Sequence, residues 1–359
     1  MKQTMLLKLQ PSPEQHRALL ETMYAFNAAC NATAEVAFAL KSANKFELQK
    51  HIYARLRTEF GLPAQLAIRA ISKVSEAYKR DKSIQPTFRP EGAIVYDQRV
   101  MSFKGLLTVS LLTLAGRALI PFLIGAYQQA RMDAIQGQAD LLYRDGGFYL
   151  AVTVDRPTPP AEPPTGTLGV DLGIVNLATD SDGETFSGQQ VEHTRQHLLK
   201  LRAALQKRGT KSAKRHLCRL RRKERRFHMN TNHVISKKLV AKANQTNRGI
   251  ALEDLRHIRQ RTDSTVKKSQ RHRHASWSFF QLRAFISYKA ELAGVCLHLV
   301  DPRNTSRTCS VCGHCDKANR KSQAEFICQS CGFAAPADWN AAINISRADV
   351  KRPIVASAA

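Results

Sequence analysis

Acidic residues are scarce in this sequence: 29 Asp and Glu stand against 55 Lys and Arg in 359 residues, a formal net charge of +26. The imbalance argues against an acidic solvating chain. It favours a polyanionic partner, because each phosphate that a cation neutralises releases counterions. Long apolar runs are missing as well. The most apolar stretch, Leu106 to Ala126, is broken by Thr108, Ser110, Thr113, Gly116, Arg117 and Pro121. It does not read as a membrane span of about 20 apolar residues. The opening Met1-Lys2-Gln3-Thr4-Met5-Leu6 lacks the apolar core of a signal peptide. Cysteine is sparse over most of the chain. Of eight, five fall between Cys309 and Cys331, and Cys30, Cys218 and Cys296 are scattered. This placement excludes a disulfide framework and points to a metal site in a reducing compartment. A cytoplasmic protein without a membrane partner is expected, and the scattered three cysteines read as packed or surface residues.

With 43% hydrophobic residues the chain can bury real cores, enough for two or three domains. The segment 156–166 carries five prolines, which favour an extended linker and divide the chain in two. Before it, Ser12-Pro13-Glu14-Gln15 marks a helix start. Helical spacing then runs to about Lys82, with breaks near Ala43-Asn44 and Gly61-Leu62-Pro63. Strand texture surrounds that block: Met1–Leu9, Ala93–Tyr96, Leu107–Leu111, Ala118–Ile120 and Phe148–Val154. After the linker, Thr167–Asp171 and Asn176–Thr179 read as strands about a tight turn, and Ser181-Asp182-Gly183 as a second turn. A long basic helical region follows, then a helix over His233–Asn244, a buried strand at Gly249–Glu253, a helix over Ser276–Gly294, a strand at Leu297–Val300 and a final helix from about Asp338.

Two constellations carry chemistry. Cys309-Ser310-Val311-Cys312 and Cys328-Gln329-Ser330-Cys331 form two CxxC knuckles separated by 15 residues, each followed by glycine, Gly313 and Gly332. Four thiolates at this spacing suit a structural Zn2+ with no open coordination position. Cys315 could replace Cys309 in the first knuckle; the matching glycines favour Cys309 and Cys312. The second constellation is of carboxylates. Asp171 ends one apolar strand, Glu253 ends another, and Asp338 opens the last helix. Three such acids can hold two divalent metals and serve in-line displacement at phosphate, and Mg2+ suits oxygen ligands. Taken singly, each acid also reads as a turn residue, a surface charge or a helix cap. Asp254 competes with Glu253, and strand alternation lets only one of them reach the site.

The basic segment Arg195 to Arg226 holds 14 Lys and Arg and the single acid Glu224. It reads as a phosphate-binding face, with Arg219, Arg222, Arg225 and Arg226 the candidate contacts. Arg259–Arg273 reads equally as a gating lid or a plain loop. Trp277, Phe279, Phe280 and Phe285 read as core residues rather than base-stacking ones.

Taken together, Gly169-Val170-Asp171-Leu172-Gly173, Leu252-Glu253-Asp254-Leu255, Thr305-Ser306-Arg307-Thr308-Cys309 through Cys331-Gly332, and Ala337-Asp338-Trp339-Asn340-Ala341-Ala342 resemble the TnpB family. Those are RNA-guided DNA nucleases of bacterial transposons, related to the small type V CRISPR effectors. Glu224–Phe227 with Asn232–Lys237, and Val109–Leu111 with Gly116-Arg117, extend the resemblance over most of the chain. It implies an α/β RNase H-like (RuvC) nuclease domain with an inserted zinc ribbon, plus a β-barrel wedge domain interrupted by a helical recognition lobe. The corresponding boundaries are 1–10 and 85–155 for the wedge, 11–84 for the lobe, 167–304 and 335–359 for the nuclease domain, and 305–334 for the ribbon. It implies Asp171, Glu253 and Asp338 as catalytic ligands of two Mg2+, and one Zn2+ on Cys309, Cys312, Cys328 and Cys331. A guide RNA from the transposon end and a double-stranded DNA target would be the partners, with DNA cut beside a short motif. The lobe would help read that motif, with Arg69 and Lys73 candidate contacts. The compact lobe and the extra Cys315 depart from the family pattern. Two alternatives are a nuclease-inactive guided repressor, which the three intact acids oppose, and an unguided RuvC-type nuclease or transposase.

Overall fold

The computed structural model describes residues 1–161, 163–255 and 279–351, with side chains to 347. The chain forms two compact units, Met1–Pro157 and Thr158–Ala359. The first contains β1 (Lys2–Leu9), α1 (Pro13–Ala39), α2 (Lys45–Thr58), α3 (Ala64–Arg80), β2 (Ile94–Tyr96), β3 (Met101–Lys104), β4 (Thr108–Thr113), β5 (Gly116–Leu123), the short α4 (Ala126–Gln129), β6 (Ile135–Arg144) and β7 (Gly147–Asp155). Alternation makes the strands: in β1, Met5, Leu7 and Leu9 are buried while Leu6 and Lys8 face out. All seven pair antiparallel, in the order β2-β6-β7-β1-β5-β4-β3. This is one near-barrel sheet with β2 and β3 at its ends. Helix α1 starts where its sequence says. Ser12 accepts from the Gln15 N–H and Gln15 reaches back, a reciprocal cap with Pro13 in the first turn. Leu19, Met23, Phe26, Leu66, Ile71 and Val74 join the inward residues of the sheet in a single core.

The second unit contains β8 (Thr167–Asp171), β9 (Asn176–Asp180), β10 (Thr185–Ser187), α5 (Gln189–Arg208), α6 (Lys211–Gln245), β11 (Gly249–Glu253), α7 (Phe279–Ala293), β12 (Leu297–Val300), the ribbon hairpin β13 (Glu325–Ile327) and β14 (Ala334–Pro336), and α8 (Ala337–Lys351). Five strands form a mixed sheet in the order β10-β9-β8-β11-β12. β8, β9 and β10 are antiparallel, whereas β11 runs parallel to both β8 and β12. The two faces are covered differently. Leu168, Val170, Ile250 and Leu252 pack with Ile235, Leu239 and Ala243 of α6 and with Leu282, Ile286 and Ala290 of α7. The intervening residues face α8: Ala251 packs with Ile345. At Gly169 the helix comes so close that a Cβ would lie 2.1 Å from the Ala342 carbonyl oxygen. Only glycine permits that approach.

Three sequence readings need adjustment. The basic region is not one run: it folds into a helical hairpin, α5 turning at Gly209 (φ +64) into α6. The helix expected at His233–Asn244 is the end of the 35-residue α6, since nothing between Phe227 and Asn232 breaks it. The residues after Pro157 belong with the second unit, where Pro159 packs against Gly294. Arg259–Arg273 and Trp277 lie outside the described residues.

Candidate active site

Strand alternation brings the acids to one face. β8 and β11 are parallel neighbours with Ala251 opposite Gly169 and Leu252 opposite Val170. Asp171 and Glu253 therefore end adjacent strands, both on the α8 side, with neighbouring strands about 4.8 Å apart. Asp338 sits in the first turn of α8, which lies on that face. Asp171 feels the charges of the other two. Burial is the largest influence on Asp171 and raises its carboxyl well above its usual range; the Glu253 and Asp338 charges raise it further. Burial likewise raises Glu253. Their oxygens do not close into a knot around a single point. Among the described residues, the group whose ligand atoms all lie within 4.8 Å of one another is the cysteine set.

Two of the acids have a fixed neighbour. Asn176, at the start of β9, donates to Asp338 Oδ2 at 2.8 Å. Thr305 donates to Glu253 Oε1 at 2.5 Å. Asp254 points elsewhere and accepts from Arg283 at 3.1 Å, as alternation requires. Sequence reasoning missed Arg320. It is carried by the ribbon, its Nη2 lies 4.0 Å from Asp338 Oδ1, and its charge lowers both Asp171 and Glu253. Among the described residues it is a cation that faces the acids. Its position between the two knuckles was the available signal, but only the folded ribbon turns it towards the cluster.

Cys309, Cys312, Cys328 and Cys331 converge, with Sγ pairs at 3.7 Å (Cys309–Cys331) and 3.5 Å (Cys312–Cys328). The Gly313 N–H donates to the Cys309 carbonyl at 3.0 Å and the Gly332 N–H to the Cys328 carbonyl at 3.1 Å, the same turn in both knuckles. Led by the Cys331 N–H, hydrogen bonds pull the Cys328 thiol down to about 6. Cys315 is exposed and outside the set.

The expected nucleic-acid contacts divide. Arg219, Arg222, Arg225 and Arg226 are exposed on α6. Arg219 and Arg226 line a groove of about 670 Å³ with Arg215, His216 and Lys223, floored by Leu201 and Leu220. Arg69 and Lys73 are each engaged within the protein. Arg69 Nε donates to Asp97 at 2.8 Å, and Lys73 donates to the Ala93 carbonyl at 2.6 Å beneath the rings of Phe26 and Phe88. Among the aromatics, Phe285 is half-buried and stacks on His233 at 4.0 Å, and Phe279 packs on the core. Phe280 is 81% exposed and is not a core residue.

Comparisons with known proteins fall on these same elements. Residues 149–258 match a family described as "Probable transposase" (OrfB_IS605), and residues 279–345 match one described as "Cas12f1-like, TNB domain". A TnpB-like protein of Methanocaldococcus jannaschii is 35% identical over 113 residues, 32% of this chain and 40% of that protein. Over part of its length the chain is similar to a TnpB-like protein. The CRISPR-associated endodeoxyribonuclease Cas12f1 of Sulfoacidibacillus thermotolerans is 30% identical over 267 residues, 68% of this chain and 59% of that one. The chain thus spans about half the length of the curated proteins it matches. In fold it is similar to the solved structure of a mini-RNA-guided endonuclease, CRISPR-Cas_phi3 (TM-score 0.59, 10% identity, covering 98% of this chain and 92% of that one). Among the described residues, no helix is long and apolar enough to cross a membrane.

Proposed function

We propose that this protein is an RNA-guided DNA endonuclease of transposon origin, whose second unit is a RuvC-type nuclease domain carrying a zinc ribbon. The observation that carries the reading is the placement of Asp171 and Glu253 at the ends of adjacent parallel strands, on the sheet face against which the Asp338 helix packs. Three crowded carboxylates are costly unless cations share the charge, and their oxygens suit Mg2+. Asp171, Glu253 and Asp338 would hold two such ions. Bound there, divalent ions would supply a Lewis acid and an activated water for phosphodiester hydrolysis. The chain's own residues do the rest. Asn176 and Thr305 hold two of the acids in orientation. Arg320 offers a guanidinium for a phosphate oxygen. The α5–α6 hairpin offers a cationic face for a phosphate backbone, which requires no base sequence. The four cysteines would hold one Zn2+ as a structural staple. Guidance by an RNA from the transposon end, and cutting of double-stranded DNA beside a short motif, follow from the relationship to the TnpB-like proteins. The same resemblance supports the domain scheme of wedge, recognition lobe, nuclease domain and ribbon.

The test is to co-express the chain with the DNA flanking its gene, sequence the RNA that co-purifies, and challenge the complex with plasmid targets and Mg2+. Cleavage that moves with a reprogrammed guide is expected. Tight guided binding without cutting across several targets would favour the repressor instead. Cutting that ignores the guide would favour the unguided nuclease.

A further inference from the structure

The motifs flanking the ribbon contain polar residues that are neither thiol ligands nor acids: Thr305, Asn340 and Asn344. Their side chains build one joint. Asn340, fully buried, accepts from the Ser310 N–H and donates to the Thr308 carbonyl, each at 2.9 Å. Asn344, one turn further along α8, donates to the carbonyls of Thr305 and Thr308 at 2.9 and 2.7 Å. The entry to the ribbon is thereby fastened to the helix that carries Asp338. Thr305 continues the path. It is 7% exposed, and its Oγ1 lies 2.5 Å from Glu253 Oε1 and 3.1 Å from the Pro302 carbonyl. A threonine hydroxyl has one proton to give. The shorter contact and the carboxylate charge send it to Glu253. A glutamate at a strand end has three rotatable bonds, and one buried donor limits which way its oxygens turn.

The geometry points to Thr305 as a positioning residue for Glu253: its hydroxyl orients that carboxylate for divalent-ion binding, and Asn344 and Asn340 tie this orientation to the ribbon and to the Asp338 helix. The inference rests on reading Asp171, Glu253 and Asp338 as the ion-binding acids. Hydrogen-bond partners of metal ligands act in this way, and losing one costs about 10–100-fold in metal affinity.

The test titrates Mn2+, followed by the electron paramagnetic resonance of the free ion, into the full chain in complex with its guide RNA. Thr305→Val is expected to weaken binding about 10-fold or more, with zinc content and melting temperature unchanged. Thr305→Ser, which keeps the donor, should bind like the unsubstituted protein. In a Glu253→Gln background, Thr305→Val should add no further loss, since the two side chains act as one unit. Unchanged Mn2+ affinity in Thr305→Val overturns the inference. So does an equal loss in the Glu253→Gln background. Should valine disturb folding, Thr305→Ala removes the donor without adding bulk and carries the same expectations. Failure of the parent reading looks different: the unsubstituted protein would show no Mn2+ binding that depends on Asp171, and the positioning role would fall with it.

Discussion

Arg69 and Arg320 show how little a side chain's type says about its work. Both are arginines beside a carboxylate, yet Arg69 is enclosed by its own fold and Arg320 faces a cluster of acids. Arg320→Ala should slow DNA cleavage about 100-fold, as loss of one aimed donor does, while guided DNA binding is retained in a gel-shift assay. Asp171→Asn, Glu253→Gln and Asp338→Asn should each reduce cleavage to background and leave guided binding intact. Arg69→Ala should instead cost about 1.5–3 kcal/mol of stability, as for a hydrogen bond to a charged group, with nucleic-acid affinity unchanged. The pH dependence belongs to the same pair. Burial pushes the Asp97 carboxyl up, but hydrogen bonds from Arg69, Gln65 and the Arg99 N–H together hold it below its ordinary value. A carboxyl depressed in the folded state stabilises above its unfolded value and loses that contribution as pH falls through its folded one. Unfolding of the first unit in urea should therefore become easier as pH drops below about 4, and Asp97→Asn should remove most of that dependence.

At the level of elements, the α5–α6 hairpin is the clearest case of charge used as a surface. Leu198, Leu205, Ala213 and Leu220 hold it together, and Arg202 pairs with Glu224, the one acid of the basic run. The cations around the groove face outward. Replacing Arg215, Arg219 or Lys223 with Gln should weaken nucleic-acid binding similarly for all sequences. Each replacement should also lower the slope of log affinity against log salt by roughly 0.7–0.9. An unchanged slope would remove the hairpin from the interface. The hairpin was only half legible. Its charge and helical spacing are visible in Arg195 to Arg226, but the reversal at Gly209 depends on a left-handed turn that a lone glycine does not announce. The strands around β8 and β11 were more legible, because apolar runs ending in an acid leave little other reading.

For the whole second unit, the ribbon couples the cysteine set to the acids: it bears Arg320, and its root at Thr305 touches Glu253. Removing zinc with a strong chelator should release one equivalent of metal and abolish cleavage even in excess Mg2+. Readdition of zinc should restore it, as followed by metal analysis and plasmid nicking. Survival of full activity without zinc would confine the ribbon to a role away from the acids.

Local chemistry was readable along the chain without coordinates. Two CxxC turns at a fixed spacing specify a thiol cluster, Ser12 and Pro13 specify a helix start, and proline density marks the divide near residue 157. These depend on neighbours in sequence, where distance along the chain is distance in space. The meeting of Asp171, Glu253 and Asp338 was suggested by resemblance, but spacing alone did not join residues so far apart. Parallel pairing of β8 with β11 and the seating of α8 on Gly169 bring them to one face. The protein partners of Arg69, Lys73 and Arg320 were set in the same way. A long cationic side chain reaches whichever carboxylate or carbonyl the packing leaves within its length, and packing exists only once the chain has folded.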